Sequence, residues 1–163
     1  MHDYPRASDD EVACQLPIET YRFNDARDLA HYASADPCIG WRSWPEIWHL
    51  DDSGRFRCYF KGSSHDSIQR WADDPQRLHR SRAEGLRSGG CAHRWVVVDS
   101  RTTWMRPSAI VDESDVEAFT RLRSCLASID VALLDVVVFD RQHWWSLHEL
   151  TAGTTRWPTA RIS

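Results

Sequence analysis

Lysine is nearly missing from this chain: Lys61 is the single one, so all other residues among the 20 basic side chains are arginine. Arginine in this proportion suits carboxylate or phosphate recognition, but a GC-rich coding bias produces the same composition, and the excess carries no functional weight. Positive charge is in deficit as well, because 20 Lys and Arg face 24 Asp and Glu for a net charge of -4. A global attraction to nucleic acid is therefore not expected. Long apolar runs are missing: the longest stretches, such as Trp95 to Val98 and Val136 to Phe139, are far short of the roughly 20 residues that cross a bilayer. No membrane association is expected. The N-terminus has neither a basic start followed by an apolar core nor an Arg-rich amphipathic pattern, so no signal peptide is read and the expected location is the cytoplasm.

Metal and nucleophile motifs are equally sparse. The five cysteines are an odd number, widely spaced, with no C-x-x-C pair, which fits reduced thiols. Cys91-x-His93 supplies two residues where a zinc site takes four. The eight histidines show neither H-E-x-x-H nor H-x-H spacing. Ser64-His65-Asp66 is a triad only as letters, since adjacent side chains point in different directions and working triads are assembled in space.

What is present is the composition of an ordinary folded domain, with 42% hydrophobic and 27% charged residues over a length of 163. Residues 1 to about 20, with Pro5, Pro17 and the acidic run Asp9-Asp10-Glu11, read as a loosely ordered arm. The domain is expected over 21–150, followed by an irregular tail over 151–163. Asn24 is placed to cap a helix to about Ser34, with Ala26, Leu29, Ala30 and Ala33 on one face. Two strands, 46–50 and 55–60, flank Asp51-Asp52-Ser53-Gly54, a hairpin turn signal, and Phe56, Cys58 and Phe60 alternate with polar residues. A short helix is expected around Ile68 and Trp71. Asp74-Pro75 opens the next helix, with Leu78, Ala83 and Leu86 toward the core and Gly89-Gly90 closing it. Trp95 to Val98 has the pattern of a central strand that ends at Asp99. Ser114 and Glu117 form a capping box for a helix to about Ile129. Leu133 to Phe139 is a buried strand, and Trp144 to Leu147 a last edge strand. This order calls for an α/β fold with a mixed β-sheet flanked by helices on both faces.

The second half resembles the RadC-like JAB/MPN domain of the JAMM metalloprotease group. The likeness rests on Pro107-Ser108, the acidic helix start, Phe119-Thr-Arg-Leu-Arg-Ser-Cys-Leu126, Ile129-Asp-Val-Ala-Leu-Leu-Asp135, and Ser146-Leu147-His-Glu149. Upstream, Glu46-Ile-Trp-His-Leu-Asp-Asp-Ser-Gly-Arg-Phe resembles the strand and hairpin that begin at that family's active-site Glu, and Lys61-Gly62-Ser63 and Pro75-Gln-Arg77 fall in consistent order. The resemblance implies the cytidine-deaminase-like, three-layer architecture of the JAB/MPN group. It also implies a zinc ion held by H-x-H-P and an Asp, with Glu46 as general base and Ser108 beside the site.

The ligand set itself is not kept. Counting back from Ser108 puts the two His positions on Val98 and Ser100 and the Asp position on Val111. Aligning the strand end puts them on Asp99 and Arg101, with Asp112 one residue beyond the acidic position. Neither register supplies an imidazole. No cofactor is therefore expected, Asp99 and Asp112 being weak oxygen-ligand candidates, and Glu46 and Ser108 are vestigial catalytic positions. Arg101 is expected to neutralise Glu46 in place of the metal. The leading expectation is a catalytically silent module that binds a protein partner or itself through tryptophans. Trp104, Trp144 and Trp145 lead, and Trp41, Trp44 and Trp157 are further candidates for exposure. The alternatives are a JAMM-like zinc metallohydrolase rebuilt from Asp99, Glu46 and one of His65, His143 or His148, and a DNA-associated protein using Arg77, Arg80, Arg82 and Arg87.

Overall fold

The structure is a computed structural model that describes residues 1–3, 18–35, 44–87, 93–101 and 110–159. Its frame is a six-stranded mixed sheet in the order β1-β6-β5-β4-β2-β3. The strands are β1 (His2–Asp3), β2 (Pro45–Leu50), β3 (Phe56–Lys61), β4 (Arg94–Ser100), β5 (Ala132–Phe139) and β6 (His143–Ser146). Only β4 and β5 run parallel; the other neighbours are antiparallel. A parallel pair needs a crossover, and α4 (Glu113–Ala127) supplies it. The remaining helices are α1 (Ala26–Ala35), α2 (Ile68–Asp73), α3 (Leu78–Arg87) and α5 (Leu147–Ala152), with 3₁₀ turns at Ile18–Thr20 and Pro75–Arg77.

Strand alternation sorts the apolar side chains into two cores. Ile47, Trp95, Val97, Leu133, Val136 and Val138 face one way and pack against Phe119, Leu122 and Leu126 of α4, Ile68 and Trp71 of α2, and Leu147. Trp48, Leu50, Val96, Val98, Val137 and Phe139 face the other way, onto Leu29, Ala30 and Ala33 of α1. Helices thus cover both faces, as the sequence pattern requires. The strands β2 and β4 are buried along their whole length, while β3 alternates between half-buried and exposed positions.

Several local expectations shift. Asp25, not Asn24, caps α1, its Oδ1 accepting from the Arg27 N–H at 2.7 Å. The capping box of α4 is Asp112 with Asp115, two residues before the Ser114–Glu117 pair. Asp74 makes no side-chain cap; the Pro75 turn is 3₁₀ and α3 starts at Leu78. Ser81 is buried on α3 whereas Ala83 is exposed. Gly89 and Gly90 lie outside the described residues. β6 is not an edge, because His2 and Asp3 pair with Trp144 and His143, so the first residues of the expected arm belong to the sheet. The tail is not all irregular: α5 runs to Ala152, and Thr155 and Trp157 are buried.

Candidate functional site

The carboxyl end of β4 carries two separate polar groups, one on each face of the sheet. Glu46 lies opposite Val98, and Pro45 opposite Asp99. Because neighbours along a strand point to opposite faces, Glu46 shares its face with Val98 and Ser100, while Asp99 points to the α4 side. Glu46 is buried and accepts a hydrogen bond from Trp48 Nε1 at 3.2 Å. Lys61 is its partner across β3, and the Lys61 ammonium stands 4.5 Å from the Trp44 ring centroid.

On the α4 face, Arg101 stands between two buried carboxylates. Its Nε donates to Asp99 Oδ2 at 2.9 Å, its Nη2 to Asp115 Oδ1 at 2.8 Å, and its Nη1 to the Ile110 carbonyl at 3.0 Å. Asp115 Oδ1 also accepts from Gln69 Nε2, which ties α2 to the cluster. Burial pushes the Asp99 carboxyl above its ordinary value, Arg101 pulls it down, and Asp115 adds repulsion. Burial alone disfavours the guanidinium, but Asp99 and Asp115 together hold Arg101 above its usual value. One cation serving two buried carboxylates explains both directions.

The expected pair of Arg101 with Glu46 is therefore corrected: the two side chains leave opposite faces of the sheet, and Arg101 contacts Asp99 and Asp115 instead. Asp99 does not end its strand either, since β4 continues to Ser100. Asp112 is occupied locally, accepting from the Ser114 and Asp115 N–H groups and from Ser114 Oγ as the α4 cap. Ser108 and Trp104 lie outside the described residues, as does Trp41. Trp144 is only 2% exposed and stacks on His2 at 4.3 Å, and Trp157 is 3% exposed, which removes both from the candidate interface. Trp145 is half-buried against the α4-side core, and Trp44 is half-buried.

The histidines do not converge on Glu46 or Asp99. His148 Nε2 bonds to the Arg156 carbonyl, His143 lies 3.3 Å from Asp3 and 3.5 Å from Asp140, and His65 is exposed. Among the described residues, no three His, Cys, Asp or Glu side chains stand together as a metal-binding group. Arg77 pairs with Asp66 at 3.4 Å and Asp74 at 3.7 Å, and with Arg80 it lines a cleft of about 380 Å³ beside Phe60 and Trp71.

Two buried polar groups escaped the sequence reading. Asp135 is fully buried in the middle of β5, where its Oδ2 accepts from Ser146 Oγ at 2.6 Å and Trp157 Nε1 at 2.8 Å, and its Oδ1 from the His148 N–H at 2.9 Å. Burial pushes its carboxyl up to about 7 against these hydrogen bonds. His49 bonds through Nε2 to Ser81 Oγ at 3.0 Å beside the Trp95 ring, and burial lowers it to about 4. A charged residue inside an otherwise apolar strand is the signal that could have found Asp135; nothing local marked Ser81 as the partner of His49. Among the described residues no helix is long and apolar enough to cross a membrane. Compared with protein-family models and with curated proteins, the chain finds no match in either.

Proposed function

We propose that the chain is a RadC-like JAB/MPN-fold protein that has lost the family's zinc chemistry and serves as an interaction or scaffold module. The observation that carries this reading is the pairing of Glu46 with Val98. In the register counted from Ser108, the two positions that the resemblance assigns to imidazole ligands share the face of Glu46 at the carboxyl end of β4. What supports the reading is that the side chains at those positions are an isopropyl group and a hydroxyl. Neither replaces a neutral imidazole as a zinc ligand, and the Glu46 carboxylate already accepts from Trp48. In the other register the cation position belongs to Arg101, whose charge opposes a metal ion and is balanced by Asp99 and Asp115. The residues present do not fit zinc.

The test is metal analysis of protein purified without a histidine tag, followed by a peptidase and isopeptidase screen of the wild type and Glu46→Gln. The expected result is substoichiometric zinc, no hydrolysis, and a stability change of about 1 kcal/mol in the variant, because the Gln carbonyl can still accept from Trp48 Nε1 and only the charge-assisted part of that bond is lost. Stoichiometric zinc, or a hydrolase activity of the wild type that Glu46→Gln removes, overturns the reading.

A further inference from the structure

We propose that the cleft between β3 and the start of α3 binds a small phosphate monoester whose ester group carries a flat ring. The cleft lies on the α4 side of the sheet, where Phe60 packs, whereas Glu46 shares the opposite face with Val98. The inference therefore goes beyond the silent-module reading and does not rest on it.

Arginine spacing builds the site. Arg77 closes the 3₁₀ turn Pro75–Arg77, and Arg80 lies in the first turn of α3. Residues three apart fall on one side of a helix. Both arginines line one cleft of about 380 Å³, joined by Gln76 from the same turn, with Phe60 of β3 and Trp71 of α2 as its apolar wall. Two cationic side chains thus meet in one recess of a chain whose net charge is -4. Among the described residues, Arg80 makes no ion pair and no side-chain hydrogen bond.

The acidic group of the recess is already occupied. Asp66 Oδ2 accepts from the Ser63 N–H at 2.7 Å and from Ser63 Oγ at 3.1 Å, and its Oδ1 accepts from Trp71 Nε1 at 3.2 Å. Arg77 Nη1 reaches the same Oδ1 only at 3.4 Å, and its Nε stands 3.7 Å from Asp74. Against its partial burial, the Ser63 and Trp71 hydrogen bonds and the nearby Arg77 hold the Asp66 carboxyl below its ordinary value. Asp66 is then an ionised group that orients Arg77 and leaves most of the guanidinium donors open.

These donors select the ligand. A phosphate monoester brings three strong acceptor oxygens and close to two negative charges at neutral pH, which matches two guanidinium forks and the Gln76 amide. A carboxylate brings one charge and one oxygen fewer, and a cation would meet Arg80 as a like charge. The volume is at the small end of ligand pockets and exceeds a bare phosphate group. Its apolar wall is aromatic, which favours a flat ring as the remainder of the ester.

The probe is phenyl phosphate, titrated into the isotope-labelled full chain and read from backbone amide and arginine Nε–H shifts, with inorganic phosphate, benzoate and benzamidine as comparisons. Phenyl phosphate is expected to move Ser63, Gln76, Arg77 and Arg80 and to bind about tenfold more tightly than benzoate or inorganic phosphate, and benzamidine should move none of them. Arg80→Gln removes a guanidinium that holds no other residue in place, so it should weaken phenyl phosphate about tenfold with an unchanged melting temperature. Arg77→Gln should weaken it to a similar degree. Arg123→Gln, at an exposed position of α4, should leave binding as in the wild type. A phosphotyrosine peptide tells two sources of the ester apart: tighter binding than phenyl phosphate assigns it to a protein side chain, equal or weaker binding to a free small molecule, and either upholds the site.

Phenyl phosphate that shifts none of these residues overturns the proposal, as does an equal affinity for benzoate or for inorganic phosphate. Binding that both Arg77→Gln and Arg80→Gln leave intact overturns it as well. So does duplex DNA that binds more tightly than phenyl phosphate through the same two arginines, since they would then serve a polyanion backbone. None of these outcomes touches the metal analysis on which the silent-module reading stands.

Discussion

Replacing Asp135 with Asn should change stability with opposite sign at low and high pH. The native carboxyl titrates near 7 because of burial, against an ordinary value of 3.8. Below pH 4 both native and unfolded chains hold the proton and no penalty exists. As pH rises from 4 to 7 the unfolded chain releases it while the native chain keeps it, so folding stability falls. At ~1.4 kcal/mol per pH decade the full loss is on the order of 4 kcal/mol above pH 7. Asn cannot titrate, but it has a local cost. Its carbonyl can keep the His148 N–H, and Ser146 can turn to accept from the new amide. The Trp157 Nε1–H then faces a second donor, a mismatch worth about 1–3 kcal/mol. Asp135→Asn is therefore expected to be less stable than wild type at pH 4, where the carboxyl carries no penalty, and more stable at pH 8, where the loss of about 4 kcal/mol exceeds the local cost of Asn, measured by urea denaturation across that range.

His49 supplies an internal contrast. Its imidazole titrates near 4, below the usual 6.5, so its contribution is present above pH 6.5 and is lost as pH falls toward 4, on the order of 3 kcal/mol in full. The two slopes oppose each other between pH 4 and 6.5. His49→Gln should expose the falling limb of Asp135, and Asp135→Asn the rising limb of His49. A difference between Asp135→Asn and wild type that stays constant from pH 5 to pH 8 refutes the assignment of a protonated Asp135.

Arg101→Met leaves Asp99 and Asp115 buried without their cation and should destabilise by about 3–5 kcal/mol at pH 7; the loss should shrink at pH 5, where Asp99 with its raised titration takes up a proton more readily, and a change below about 1 kcal/mol in thermal denaturation would show that the cluster does not hold the β4 terminus. Trp157→Ala should cost about 3–5 kcal/mol through a lost core ring, whereas Trp157→Phe keeps most of the ring and loses the donor to Asp135, for about 1–3 kcal/mol; a Trp157→Phe variant as stable as wild type would mean that the hydrogen bond contributes nothing. Asp112→Ala should speed amide exchange at Ser114 and Asp115 without altering the exchange of the β5 amides, because the cap acts on the first turn of α4 alone.

Periodicity carried most of the fold. The Val-rich runs of β4 and β5, the alternation of β3 and the apolar stripe Phe119, Leu122, Leu126 of α4 are local patterns. Burying a stripe or a sheet face is the dominant requirement on each of them, so the α/β class followed from the chain itself. The turn at Asp51 to Gly54 was equally legible, because Gly54 has φ of 88° and the Asp51 carboxylate closes the turn. Capping was less so: Asp25 and Asp112 stand within two residues of equally suitable Asn24 and Ser114, and packing decides which residue leaves the helix first.

The site was legible as residue types and not as contacts. Strand alternation alone puts Glu46 and Asp99 on opposite faces once β2 and β4 are paired, but the pairing register is a tertiary fact. Arg101 was recognisable as a cation that would take a carboxylate; which carboxylate depended on α4 bringing Asp115 to the α4 face of the sheet. Trp144 and Trp157 likewise looked available in sequence, yet β1 stacks His2 on one and the Asp135 carboxylate draws in the other. Periodic burial is written along the chain because each element must hide its own apolar face. Polar pairing joins residues far apart in sequence, such as Asp135 with Trp157 or His49 with Ser81, and it is decided only when the packed sheet brings them within hydrogen-bond distance.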